Sequence, residues 1–193
     1  SCSDDNNNVA PKDGNPQMEV AAITAAQFGD SLTVNVTCTD TKVPLSTLKA
    51  VLKYGEESVQ NVTIRTKTDG TYQVRLYMPF CQNVPDGDAQ LHLTLQDIHF
   101  TTAEKTVNIP LTRPRYTSLK LVTSTGEEYT MTPDAANPYL FSTMVNSPSS
   151  KTVKAHVVAP KQGSNGREIT FGQGTQGVTQ DVTDDISFVN TAR

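Results

Sequence analysis

Several residue types and patterns are scarce in this chain of 193 residues. It has no tryptophan, three histidines, three cysteines and no run of 18 consecutive apolar residues. Without such a run, a membrane-spanning helix is not predicted within these residues. The sequence also lacks the Gly-x-Ser-x-Gly, His-Glu-x-x-His and Gly-x-x-x-x-Gly-Lys patterns, so no catalytic centre, metal site or cofactor is predicted.

Charge is weak and evenly spread along the chain. The 16 basic and 20 acidic residues give a net charge of -4. No basic stripe is present, so a nucleic-acid partner is not predicted. Threonine, valine, serine and asparagine are abundant, while helix-favouring clusters of alanine and glutamate are few. This bias suits half-buried pleated surfaces and predicts an all-β protein.

Residues 17–112 have the pattern of one immunoglobulin-like β-sandwich. Short segments that alternate apolar and polar residues are separated by turn residues, which is typical of a sandwich. The turn at Asp69-Gly70 is predicted to close a hairpin between the segments on either side of it. The predicted strands are 18–24, 31–39, 47–54, 58–66, 71–79, 89–96 and 104–111.

A second β-sandwich module is predicted for residues 113–193. Pro110 and Pro114, with Arg113 and Arg115, give a short stiff joint before it. Its predicted strands are 117–123, 127–131, 139–145, 151–158, 168–171 and 185–189, and the glycines between 162 and 180 weaken any strand prediction there. The sequence leaves open whether this second module is complete or continues in a longer protein.

Two cysteines, Cys38 and Cys81, remain when Cys2 is set aside. Cys38 continues an alternating apolar set that begins at Leu32 and should face a core, whereas the direction of Cys81 after Phe80 is not set. An exported protein permits a disulfide between them. Two separate thiols fit the sequence equally well.

The few residues that carry reactive groups do not converge in the predicted fold. His92 and His99 flank Asp97, but positions seven apart on an extended strand face opposite ways, so solvent-facing histidines are predicted. The acids between residues 181 and 185 are a weak alternative site for calcium, because their spacing fits no familiar calcium loop. The chain is therefore predicted not to be an enzyme.

A ligand site, if the chain has one, is predicted in the second module. Tyr139 follows the loop from Pro133 to Pro138 and lies next to Asn137, which places a stacking ring beside a partner for hydroxyl groups. Tyr129 is the other ring assigned to ligand binding, whereas Phe141 is assigned to packing. The absence of tryptophan removes the best platform for a sugar, and ordinary packing of these rings is the alternative.

The first 16 residues differ from the rest of the chain. Cys2 lies in Ser1-Cys2-Ser3-Asp4-Asp5, and residues 9–16 are too polar and too rich in proline, glycine and asparagine to fold alone. This N-terminus resembles the processed end of a bacterial lipoprotein, in which the cysteine carries several acyl chains that hold the protein on a membrane. The acids behind Cys2 resemble the surface-export signal of Bacteroidetes lipoproteins. Residues 1–16 are therefore predicted to be a lipoprotein tether, lipidated at Cys2.

Together with the two serial modules, these residues resemble the surface glycan-binding lipoproteins of Bacteroidetes polysaccharide-utilisation loci, the SusE and SusF type. The resemblance implies a cell-surface location on the outer membrane, contact with the membrane through the lipid anchor only, and partnership with SusC/SusD-like importer components. Oligo- or polysaccharide is the implied ligand. The predicted function is non-catalytic binding or capture of glycans. A structural spacer, or an adhesive or assembly module without a glycan site, is the alternative.

Overall fold

The computed structural model of the protein describes residues 13–81, 83–146 and 152–189. Cys2 and most of the predicted tether lie outside the described residues. The chain divides into two compact units, Ser1–Thr112 and Arg113–Arg193. All regular elements of the described part are strands, which confirms the prediction of an all-β protein with tandem modules. No helix long and apolar enough to span a membrane occurs in that part of the chain.

The described residues of the first unit form two β-sheets. Their strand orders are β1-β3-β6 and β2-β8-β7-β4-β5. Strands β2 and β8 pair in parallel, and the other pairs are antiparallel, an arrangement of the immunoglobulin-like type. The strands are β1 (Gln17–Val20), β2 (Ala26–Gln27), β3 (Ser31–Thr39), β4 (Leu45–Tyr54), β5 (Glu57–Arg65), β6 (Gly70–Tyr77), β7 (Gly87–Asp97) and β8 (Thr102–Thr112).

The core of the first unit lies between these sheets because the strands alternate apolar and polar residues. In β7, Leu91, Leu93 and Leu95 are buried, while the residues between them are partly exposed. Val34 and Val36 of β3 are buried from the other sheet. Each such side chain contributes about 1.5–3 kcal/mol through removal of its apolar surface from water.

The prediction of a hairpin at Asp69-Gly70 is wrong. Strand β5 pairs with β4, and β6 pairs with β3, so the chain crosses from one sheet to the other at this turn. The Tyr72 hydroxyl donates hydrogen bonds to the carbonyls of Thr66 and Thr68, and the Asp69 carboxylate accepts one from the Asp40 N–H at 3.0 Å. The turn residues determine where the chain bends, but packing of the core determines which strands β5 and β6 pair with.

The second unit has seven strands in its described part. They are β9 (Leu119–Thr123), β10 (Glu128–Pro133), β11 (Phe141–Ser142), β12 (Thr152–Ala159), β13 (Ile169–Gly174), β14 (Gly177–Gln180) and β15 (Ile186–Val189). The order is β11-β10-β9-β12-β13-β14, and β15 also pairs with β12. Ala155 is the partner of both Thr123 and Ile186, so β15 lies on the side of β12 opposite β9, next to β13.

The register of the second unit separates an apolar face from a polar one. Leu121 lies opposite Val157 across the β9–β12 pair, and Val153 lies opposite Phe188 across the β12–β15 pair. Because side chains alternate along a strand, the residues between these positions face the other side. The polar face carries an exposed ion pair between Lys120 and Glu128 at 3.5 Å. Among the described residues of the unit, the buried ones are Pro114, Leu121, Thr123, Ala155, Ala159, Ile169 and Gly172.

Candidate functional site

The loop between β10 and β11 is held by its own hydrogen bonds. The Asp134 carboxylate accepts bonds from the N–H groups of Ala136 at 2.9 Å and Asn137 at 3.1 Å. The Asn137 side-chain oxygen accepts a bond from the Tyr139 N–H at 3.0 Å. The Asp134 N–H donates to the Leu140 carbonyl at 2.8 Å, which closes the base of the loop. These are the local bonds by which Asp and Asn favour turns over regular structure.

This loop exposes to solvent the ring of Tyr139, which the sequence predicted to bind a ligand. Tyr139 is 49% exposed, and Leu140 beside it is 57% exposed. Because the Asn137 side-chain oxygen is used by the Tyr139 N–H, the amide nitrogen is the end of Asn137 suited to donate to a ligand. The structure therefore brings Asn137 and Tyr139 together, as the sequence predicted.

Tyr129 does not join this pair. It is the second residue of β10, and the loop begins after Pro133, four residues or about 13 Å further along the strand. Its hydroxyl donates to the Glu127 carboxylate at 2.7 Å, and this bond raises the pKa of Tyr129. Tyr129 lies on the apolar face, because it is opposite Leu121 in the register. The prediction erred because it grouped the rings by position in sequence and did not use the length of the strand between them.

An apolar groove of about 300 Å³ opens on the same face. One side of the groove is the sheet, and the other is the chain that follows β11. The groove is lined by Leu121, Met131, Ser142, Thr143, Val145, Val153, Phe188 and Val189. Among the described residues that line it, Ser142 and Thr143 alone carry polar side-chain groups, so its chemistry suits an apolar ligand or side chain better than a charged one.

Exposed apolar side chains line this groove or lie next to lining residues in sequence. Met144 is 91% exposed, Val189 is 72% exposed and Phe188 is 43% exposed. Contiguous exposed apolar surface on a soluble protein typically marks an interaction site. The sequence argument did not identify this surface, although the alternation of β12 and β15 contained the signal for an apolar face.

The two cysteines lie at opposite ends of the first unit. Cys38 is opposite Gly70 in the β3–β6 register, and Ser31 is opposite Tyr77. Seven strand residues therefore separate Cys38 from the end of β3 at which β6 finishes, a distance of about 23 Å. Cys81 follows Tyr77 by four residues. A disulfide requires Cα atoms within about 7 Å, and the structure shows two separate thiols.

The surroundings of the two thiols also differ. The Tyr54 hydroxyl donates to the carbonyl of Pro79 at 2.8 Å, which holds the chain before Cys81 at the far end. Burial of Cys38, and secondarily the nearby Asp69 charge, raises the pKa of Cys38 to about 11. Of the two alternatives for the cysteines, the disulfide is therefore the one that the strand register does not allow.

The two histidines on either side of Asp97 stay apart in the structure. His92 Nδ1 lies 3.1 Å from the Thr106 hydroxyl on the neighbouring strand. Asp97 is fully buried, and its Oδ1 accepts bonds from the backbone N–H groups of His99 at 2.8 Å and Thr101 at 3.1 Å. The carboxylate therefore binds the backbone of the turn that follows it, and it does not orient an imidazole ring.

The acids near the end of the chain bind separate basic partners. Both Asp181 oxygens accept bonds from Arg167, at 2.9 and 3.0 Å. Asp185 lies 3.1 Å from His156 Nδ1 in a partly buried pair. No group of three or more His, Cys, Asp or Glu residues suited to a metal ion occurs in the described ranges. The His156–Asp185 pair was not predicted, since 29 residues separate its members and only the β12–β15 register joins them.

The fold and these sites define the protein as an all-β chain of two tandem modules, the first of them immunoglobulin-like. Residues 1–104 match the family described as "Domain of unknown function (DUF5016)". That match covers more than half of the 193 residues, and the chain belongs to this family. Residues 108–193 match a second family, described as "Domain of unknown function (DUF5125)". Neither a curated protein nor a solved structure matches the chain.

Proposed function

We propose that this protein is a non-catalytic, lipid-anchored protein of the outer membrane that captures glycans at the cell surface. In this proposal Cys2 carries the lipid, the first module is a spacer, and the second module presents the glycan site. The SusE/SusF-like resemblance of residues 1–5 and the tandem β-modules support the location and the partnership with SusC/SusD-like importer components. The ligand is an oligo- or polysaccharide.

One observation carries the proposal: Tyr139 stands half exposed on a loop that its own hydrogen bonds already hold. An exposed aromatic face stacks on the apolar face of a sugar ring. Since the loop is ordered before binding, less conformational entropy is lost when the sugar binds. The neighbouring Asn137 amide supplies a donor for a hydroxyl group.

A single ring and one amide make a weak site. We expect dissociation constants from millimolar to high micromolar, which correspond to about 4–6 kcal/mol of binding free energy. Such affinity suits capture on a surface, where many anchored copies bind one polymer and gain avidity.

The test uses a soluble form of the full chain with Cys2→Ala, titrated with a panel of soluble glycans and followed by NMR. Tyr139→Ala is expected to abolish the shifts, whereas the matched control Tyr139→Phe keeps the ring and should retain binding. Equal binding by Tyr139→Ala and the parent contradicts the placement of the site. Absence of binding by the parent across the panel contradicts glycan capture.

The lipid anchor is tested separately in cells. The parent is expected in the outer-membrane fraction with incorporated fatty acid, and Cys2→Ala should appear in the soluble fraction without label. A Cys2→Ala protein that still incorporates fatty acid contradicts the anchor.

A second function, an assembly module, is favoured by the apolar groove and the exposed Met144 and Phe188. In that case the groove receives an apolar segment of an importer component, and no sugar binds. We expect the protein to bind purified importer components. Phe188→Ser should weaken this binding, and Tyr139→Ala should not. Undiminished binding by Phe188→Ser would show that the groove is not the site.

A further inference from the structure

Two buried carboxyl groups outside the proposed glycan site meet at one end of the first module. Asp40 directly follows β3 and is 8% exposed, and Asp97 ends β7 and is 0% exposed. The Oδ2 atom of each is buried and has no hydrogen-bond partner among the described residues. Buried polar atoms are almost always paired, so two such atoms in one place require a physical explanation.

The other oxygen of each carboxyl group is well supplied with donors. Asp40 Oδ1 accepts N–H bonds from Asn15 at 3.2 Å, Lys42 at 2.9 Å and Val43 at 3.0 Å. Asp97 Oδ1 accepts the two backbone bonds of its turn, described above. The deficit is therefore confined to the two Oδ2 atoms.

Gly14 shows that these two atoms are close together. A methyl group added to Gly14 would lie 1.8 Å from Asp97 Oδ2 and 2.6 Å from Asp40 Oδ2. The two oxygens are thus at most 4.4 Å apart, the sum of those distances. Two ionised carboxylates at such a separation, away from water, repel strongly.

A metal ion does not fit the deficit. Calcium takes about six to eight oxygen ligands, whereas among the described side chains of this pair only the two Oδ2 atoms lack partners. The backbone of Gly14 also occupies the space beside them. A proton needs only two oxygens, and it can be held between a carboxylic acid and a carboxylate.

We propose that Asp97 is protonated on Oδ2 and that this O–H donates a hydrogen bond to Asp40 Oδ2. We call this bond the clasp, because it holds residues 13–16 against the first module. Asp97 is the acid because it is the more deeply buried of the two and its Oδ1 accepts only two N–H bonds. Asp40 is the carboxylate because three N–H groups already donate to it.

The pKa of Asp40 agrees with this assignment. Burial opposes ionisation of Asp40, but the hydrogen bonds that its carboxylate accepts, chiefly from the N–H groups of Val43 and Lys42, outweigh burial and lower its pKa. The three N–H groups around Asp40 therefore favour it as the carboxylate of the pair.

The clasp lies where the predicted tether meets the folded module. The Gly14 N–H donates to the Thr101 hydroxyl at 3.2 Å. Asn15 exchanges two bonds with Thr41, one from its amide nitrogen to the hydroxyl at 2.6 Å and one from the Thr41 N–H at 2.8 Å. When the proton leaves to solvent, two carboxylates remain beside Gly14, and we expect residues 13–16 to detach and lengthen the tether.

The direction of the pH effect follows from proton linkage. An unfolded aspartate loses its proton near pH 4, while the folded pair retains one above that value. The folded state therefore becomes less stable as pH rises. The unfolding equilibrium constant increases about tenfold per pH unit until the pair releases its proton. Other charged or titratable groups lie near the pair in sequence or on the turn that binds Asp40, namely Asp13, Cys38, Lys42, Lys67, Asp69 and His99. A difference between variants is therefore needed to isolate the pair.

Asp97→Asn supplies that difference, because its amide nitrogen donates to Asp40 at every pH. The ratio of unfolding constants of parent and Asp97→Asn should change about tenfold per pH unit above pH 4. Asp88→Asn, an exposed acid of the same strand, is the control and should give a flat ratio. A flat ratio for Asp97→Asn would overturn the proposal, and so would stabilisation of the parent by calcium or sodium that Asp97→Asn lacks.

A second measurement covers the case in which Asp97→Asn fails to fold. The side-chain carboxyl carbon of Asp97 in the parent, followed by NMR, should show a protonated acid at pH 5 to 6. Chemical shifts of an ionised carboxylate at that pH, with residues 13–16 still protected from hydrogen exchange, would contradict the clasp.

Discussion

Gly14→Ala is the substitution that tests most directly how residues 13–16, the leading segment of the first module, are packed. The added methyl would lie 1.8 Å from Asp97 Oδ2, 2.6 Å from Asp40 Oδ2 and 2.8 Å from Val43 Cγ2. Carbon and oxygen atoms do not approach so closely, so residues 13–16 must move away. The four hydrogen bonds of Gly14 and Asn15 to Asp40, Thr41 and Thr101 are then lost. At about 0.5–1.5 kcal/mol each, and with two of them exposed, the loss should be about 2 kcal/mol.

The assay is urea unfolding of the full chain, followed by NMR signals of core amides in the first module such as that of Leu93. Such probes report the module itself, since two units need not unfold together. Gly87→Ala is the matched control because a Cβ there meets nothing within 4 Å, and its effect should stay below about 0.5 kcal/mol. Equal midpoints for Gly14→Ala and the parent would refute the described packing of the leading segment.

Three further predictions follow from the core, the thiols and the loop. Leu93→Ala should lower the free energy of unfolding by about 2–5 kcal/mol, because Leu93 is fully buried. Leu140→Ala, at an exposed position, should change it little. Similar effects of the two substitutions in urea titrations would contradict the placement of Leu93 in the core. In denatured, unreduced protein both Cys38 and Cys81 should react with a thiol reagent, and loss of both thiols would indicate a disulfide between them. In native protein Cys38 should react far more slowly, because burial raises its pKa to about 11. Asp134→Ala should weaken glycan binding several-fold through a looser loop, measured by NMR titration, and unchanged affinity would show that preorganisation is unimportant.

Much of the strand pattern was readable from the sequence. Alternation predicted the long strands well, because one face of each is buried, as in β7 with its three leucines at every second position. It missed β2, which has two residues and pairs only because the chain passes beside β8. It also missed β14, where Gly174 and Gly177 disguise a hairpin whose turn uses a Gly177 φ of 112°.

The sequence placed some of the candidate site residues correctly relative to one another, and its misplacements share a cause. Asn137 and Tyr139 were grouped correctly because two residues on one short loop stay together. Tyr129 was misplaced because a strand carries it away, and the apolar groove and the Asp40–Asp97 pair depend on contacts between distant parts of the chain. Side-chain alternation reports burial along one strand, whereas such meetings are set by strand register and packing.

Glycan binding by the loop at Tyr139 is the central claim, and one titration tests it most directly. Soluble full chain with Cys2→Ala is titrated with a broad panel of oligosaccharides while the NMR signals of Asn137 and Tyr139 are followed. The account predicts saturable shifts of these signals in the millimolar to high micromolar range, retained in Tyr139→Phe and absent in Tyr139→Ala. Shifts that persist in Tyr139→Ala, or no shifts with any glycan, would contradict it.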